Sequence, residues 1–188
     1  MKAKAATAPT TLDASAWVEA AFDVLAEGGI DAVRVDPLAK RLGVTRGSFY
    51  WHFKDRAALH QAMLKQWRKR ATYAVGDRIE RAASNADGRL RRTLALPGSG
   101  PRAARAAAIE FAIRLWARSD AEAAAAVRKI DRLRLDYYAN LFAERGCGAE
   151  EARERAYLFY AALMAQAIIV TDDATDVSGA LAALVIGD

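Results

Sequence analysis

GVTRGSFYWHFKDR, residues 43–56, sets four aromatic side chains, Phe49, Tyr50, Trp51 and Phe53, among basic and small ones. So short a stretch cannot bury all four and still present a basic face unless a fold sorts them. Helical spacing does the sorting. Phe49 and Phe53 stand i and i+4 apart and share one face, which makes them core. Tyr50 and Trp51 fall on the other side, with Arg46 and His52.

The residues just before this stretch supply the fold. VDPLAKRLG (35–43) is read as a helix with Asp36 as N-cap and Pro37 at the first helical position, where its missing N–H is harmless. Gly43 ends it after two turns, and Thr45, another capping type, opens the next helix. Ala39 allows close packing, and Leu38, Leu42, Val44 and Phe49 form an apolar seam. Two short helices joined by a tight Gly-containing turn make a helix-turn-helix. The outward face is then a recognition surface. Arg46 can hold guanine O6 and N7 with two bonds. Thr45 and Tyr50 offer hydroxyls to phosphate, Gly47 leaves room for the DNA backbone, and Ser48 belongs to the same set. Lys54 and Arg56 sit where the next helix begins and can reach phosphate beside its positive end.

Charge concentrates on the same segment. Residues 40–70 carry nine basic side chains against Asp55 alone, whereas residues 1–39 carry three basic and six acidic ones. Residues 71–188 hold sixteen of each and cancel, so the net +5 arises from one region. Localised positive charge is the footprint of a polyanionic partner.

The stretch WVEAAFDVLAEGGIDAVRVDPLAKRLGVTRGSFYWHFKDRAAL (17–59) resembles the N-terminal DNA-binding module of TetR-family transcriptional regulators. The resemblance rests on the helix followed by EGG, on LAKRLGV, and on TRGSFYWHF with its basic continuation. It implies that Thr45, Arg46, Gly47, Tyr50, Trp51 and His52 face an operator, with Lys54 and Arg56 on phosphate. It also implies a repressor that a small molecule releases from DNA.

The remainder reads as helices throughout, about nine in all, for an all-α protein. Domain expectations are a flexible tail over 1–12, the helix-turn-helix domain over 13–59, and a helical ligand-binding and dimerisation domain over 60–188. Asp55 caps a long helix to about Glu80, with Leu59, Met63, Trp67 and Ala71 inward. PGSGPR is a linker; Pro101 opens a helix to about Arg118, and Asp120 caps another to Arg145. Trp67, Phe111, Trp116, Tyr137 and Tyr138 are candidates to line an apolar cavity, with Arg114, Arg134 and Gln166 as polar groups orienting a ligand. Helices over 149–171 and 174–186 are expected to form a homodimer interface through Tyr157, Tyr160, Leu163, Met164, Ala167 and Ile168, extended by Leu181 and Leu184. Two helices from each subunit would give a four-helix bundle on a two-fold axis.

Other function classes find little support. The single cysteine, Cys147, cannot form an internal disulfide, which fits a reducing cytoplasm, and no export signal or membrane span is evident. His52 and His60 are eight apart without companions, so neither metal nor cofactor is expected. PGSG is not followed by the Lys-Ser/Thr of a phosphate loop, and Ser99 has no histidine partner, so no catalytic residue is assigned. The competing class is a helical binding or scaffold protein whose module no longer binds DNA.

Overall fold

The computed structural model describes residues 12–80, 83–169 and 177–187, so the tail expected over 1–12 lies almost wholly outside the described residues. Among those residues the chain forms nine α-helices and no strand, and no helix is long and apolar enough to cross a membrane. It divides into two compact units between Met63 and Leu64.

The first unit is built on α1 (Ala14–Gly28), α2 (Val35–Leu42), α3 (Arg46–Tyr50) and the start of α4 (Arg56–Glu80). Asp13 caps α1 by accepting the Ala16 N–H at 2.9 Å. Trp17, Ala21, Phe22 and Leu25 of α1 are buried with Leu38 and Ala39 of α2. Each fully buried Leu or Phe contributes about 2 kcal/mol.

Two local expectations change. The extended, capping residue of α2 is Arg34, not Asp36, and Pro37 is the third helical residue. That position is still tolerated, because the first four helical amides have no acceptor within the helix. Gly43 closes α2 with φ +67°, its N–H bonded to the Lys40 carbonyl at 3.2 Å and the Val44 N–H to that of Ala39 at 3.0 Å. This left-handed stop is what lets α3 leave in a new direction.

The second change is that α3 ends at Tyr50, leaving Trp51 and His52 in a turn. Asp55 accepts the Ala58 N–H at 2.8 Å and starts α4, so the intervening residues must make the connection. Phe53 lies outside the helix yet still points inward, because its N–H bonds the Phe49 carbonyl at 3.0 Å.

The second unit holds the rest of α4 with α5 (Ala86–Leu94), α6 (Pro101–Trp116), α7 (Ala121–Glu144), α8 (Ala149–Ile168) and α9 (Ser178–Leu181). Its core joins Leu90 and Leu94 of α5, Tyr138 and Phe142 of α7, and Phe159 and Leu163 of α8. Asp120 caps α7 through the Ala123 N–H at 2.8 Å, and Pro101 stands at the start of α6, both as the sequence predicts. The penultimate helix stops at Ile168 rather than 171. α9 continues as a π-helical turn, Ala182–Ile186, in place of one regular helix over 174–186, of which residues 174–176 lie outside the described residues.

Candidate nucleic-acid interface and ligand cavity

In the first unit the aromatics separate as their spacing demands. Phe49 is fully buried, edge-on to Trp17 at 5.3 Å and tilted against Phe53 at 5.4 Å. Trp51 is 88% exposed and Tyr50 51%, so a pair of large rings stands in solvent above that core. Thr45, Arg46, Gly47, His52 and Lys54 are exposed beside them, and Ser48 is half-buried. Thr45 makes no capping bond with its side chain. Arg46 is held lightly, by the Tyr50 hydroxyl at 3.4 Å and Asp36 at 3.7 Å. These are weak tethers for a guanidinium that has most of its donors to offer.

Two basic residues are spoken for. Arg56 donates Nη2 to the Ile30 carbonyl at 2.6 Å and Nε to His60 at 3.2 Å, so it ties the start of α4 to the turn after α1. Arg41 grips Glu27 with two bonds of 2.7 and 2.8 Å, pinning α2 to α1. The hydrogen bond from Arg41 holds the Glu27 carboxyl below its ordinary pKa.

In the second unit a cavity of about 450 Å³ opens among α5, α6, α7 and α8 and the loop before α6. Leu96, Ala103, Ala107, Leu163, Met164 and Ala167 give apolar wall; Glu110, Arg134 and Tyr138 stand at the buried side, and Ser99 and Arg102 at the exposed side. Of the predicted ligand residues only Arg134 and Tyr138 line it. Trp67 and Trp116 are core, Phe111 is exposed on α6, Tyr137 is half-buried, and the Gln166 Nε2 is buried without a hydrogen-bond partner.

A polar network runs beside the cavity. Glu110 accepts from Arg114 at 2.8 Å, from Arg134 at 3.0 Å and from the Trp67 indole N–H at 3.1 Å. Asp131 takes two bonds from Arg114, the shorter 2.6 Å. The Tyr160 hydroxyl donates to Asp131 at 2.7 Å and accepts from Arg114 and Arg134 at 2.7 and 2.9 Å. Burial alone would raise the pKa of Glu110, but Arg134 and Arg114 outweigh it and hold the carboxyl below its usual range. Asp131 is likewise lowered: burial opposes, and the bonds from Arg114 and Tyr160 prevail. Burial pushes the Tyr160 phenol up to about 12, so it stays a neutral donor. Two guanidiniums and two carboxylates leave the network neutral overall.

The residues expected at a dimer interface divide. Tyr160 and Leu163 are buried within the chain, and Met164, Ala167 and Leu181 are half-buried. Tyr157, Ile168 and Leu184 are exposed, Tyr157 by 66% and Leu184 by 81%, together with Leu158 and Ile169. Tyr157 and Leu158 are neighbours on α8, and Ile168 is its last residue.

The profile of the family described as "Bacterial regulatory proteins, tetR family" matches residues 18–63, which takes in α1 to α3 and the start of α4. Residues 18–63 belong to the TetR family. It is 41% identical over 54 residues to the tetracycline repressor protein class A from transposon 1721 of Escherichia coli, 29% of this chain and 25% of that repressor. It is 33% identical over 70 residues to the HTH-type transcriptional regulator TtgR of Pseudomonas putida, 37% of this chain and 31% of that one. The matched stretch thus spans no more than a third of either of these relatives. The fold is shared more widely. A transcriptional regulator from Rhodococcus sp. Rha1 superposes with a TM-score of 0.64 at 23% identity, covering 89% of this chain and 84% of its own. The regulator FadR from Bacillus subtilis, solved with stearoyl-CoA, gives 0.65 at 19% identity, covering 93% and 98%.

Outside that matched stretch the sequence reading missed the cavity's α6 wall. Ala103, Ala106 and Ala107 create space by what they lack, and the signal was the run RAARAAA, which has no bulky side chain to fill a gap. It also missed Arg102, at the first turn of α6, and the ion pairing that draws Arg114 into the network and off the cavity wall.

Proposed function

We propose that the protein is a ligand-responsive transcriptional regulator, a repressor that binds a (pseudo)palindromic operator as a homodimer in the cytoplasm and is released by a small molecule. The observation that carries this reading is the exposed face of α3 and its following turn. Arg46 and Tyr50 project from a helix whose other side, Phe49, is locked in core, and Trp51 projects from the turn that follows. A rigid element with free donors and exposed rings is what base reading requires. One such short helix reads too few bases alone, so two-fold pairing supplies the second half-site. The apolar face of Tyr157, Leu158, Ile168 and Leu184 supports that pairing.

Release would run through α4, which starts beside α3 in the chain and carries Trp67 to Glu110 at the cavity. A ligand that reorders Glu110 or Arg134 changes what holds Trp67, and a shift of α4 alters the spacing of the two recognition helices. Moving the population from almost all bound to almost all released takes about 5.5 kcal/mol of differential affinity. Selection of duplexes from a randomised library, followed by footprinting, tests the reading. An inverted repeat with protection on both halves is expected; failure to enrich any sequence overturns it.

A further inference from the structure

The cavity's polar groups are not equivalent, and their inequality selects a ligand. Glu110 is the only carboxylate among the described residues that line the cavity. Its Oε1 accepts from Arg114 and Arg134, and its Oε2 from Trp67 and Arg134. It has no capacity left for a ligand's ammonium group. Arg134 is spent in the same way, on Glu110 and Tyr160. The remaining charge on the wall is Arg102, exposed at the first turn of α6 and with no ion pair or hydrogen bond to a described residue. Gly100, the capping residue of α6, brings no side-chain acceptor, so the positive end of that helix adds to the same corner.

At the other side of the cavity stands Tyr138. It is 2% exposed, and its hydroxyl has no hydrogen-bond partner among the described residues, although its ring packs on Phe159 at 4.7 Å. That side chain lines the cavity, so its hydroxyl is available to donate to a bound molecule that offers an acceptor. The apolar part of the lining is alanine, leucine, proline and methionine.

We propose that this cavity binds a small organic acid. Its carboxylate sits at Arg102 and the amino end of α6, its apolar body lies along Ala103, Ala107, Leu163 and Met164, and an acceptor further along it meets the Tyr138 hydroxyl. The volume, about 450 Å³, suits a molecule of drug size or smaller. The assignment deepens the proposed regulatory reading by naming the class of effector, and it rests on that reading for its consequence at DNA.

Two matched probe series test it by calorimetry on the full chain: decanoate, decanol and decylammonium, and 2-naphthylacetate with the corresponding alcohol and amine. The acid of at least one series is expected to bind tenfold or more tightly than its alcohol and its amine. Arg102→Gln, at an exposed position, should remove that preference while leaving the alcohol's affinity within twofold. Tyr138→Phe should weaken a 4-oxo acid more than the plain acid. Amines binding as well as acids, an undiminished preference in Arg102→Gln, or no binding by any member would overturn the proposal. A separate arm adds the acid to protein bound on its selected duplex. An acid that binds through Arg102 yet leaves DNA binding unchanged refutes the release mechanism and not the site.

Discussion

The Trp67 indole donates its N–H to Glu110 at 3.1 Å, and Glu110 lies on the wall of the cavity. One hydrogen bond therefore joins the helix that leads from the helix-turn-helix to the group a ligand would disturb. Trp67→Phe keeps a ring and loses the bond. It should lower stability to urea by about 1.5 kcal/mol. Its operator affinity should stay within threefold of wild type while the effector concentration needed for release rises. Unchanged release would show that α4 takes its signal from elsewhere.

The ion network predicts an acid limb. Glu110 and Asp131 both have pKa values held below the ordinary 4.5 and 3.8. The folded state therefore binds fewer protons than the unfolded chain in that range. Their contribution is complete above the unfolded pKa and is lost as pH falls from about 4.5 through the lowered values. Glu110→Gln leaves two guanidiniums facing one carboxylate and should cost about 3 kcal/mol at pH 7. It should also flatten the decline of stability below pH 4.5, as chemical denaturation at a series of pH values would report. A variant as stable as wild type at pH 7 would mean that the network adds nothing net.

At the DNA face, Arg46→Ala should lose about 1–3 kcal/mol on the selected operator and relax specificity at one base pair in each half-site. Lys54→Ala should weaken all duplexes alike and reduce the slope of log K against log salt by about one. Arg56→Ala should behave differently. Its bond to the Ile30 carbonyl makes it a structural tie, so the melting temperature should fall while the salt slope changes little. A slope reduced by one in Arg56→Ala would return it to the phosphate contacts.

Leu184 is 81% exposed and Leu158 also faces solvent, so arginine at either position leaves the single chain's core intact. Leu184→Arg and Leu158→Arg should sediment as monomers with unchanged helix content. A stable dimer from both would remove this face from the interface.

The order of helices was legible because caps and glycines are local signals: Asp55, Asp120, Pro101 and Gly43 each act within a few residues of themselves. The sorting of Phe49 and Phe53 from Tyr50 and Trp51 was legible for the same reason. The cavity was not. Bulky side chains such as Trp67 and Trp116 draw attention in a sequence, yet they fill space, and a cavity forms where alanines leave it. α8 was ambiguous because from Ala156 onward it is apolar on nearly every side, so periodicity could not separate Tyr160 and Leu163, turned into the chain, from Tyr157 and Leu158, turned out. Arg56 and Arg114 looked available because their partners, Ile30 and Asp131, are 26 and 17 residues away.

The central claim is that the exposed face of α3 reads DNA and the rest of the chain controls it. Fluorescence anisotropy on the selected duplex and on a scrambled one, titrated with salt from low ionic strength upward, tests it most directly. The account predicts two chains per duplex, a strong preference for the selected sequence, and affinity that falls linearly on a log–log plot as phosphate contacts are replaced by ions. Absence of salt-sensitive binding to either duplex, even at low ionic strength, would contradict it and leave a helical scaffold whose module has no DNA role.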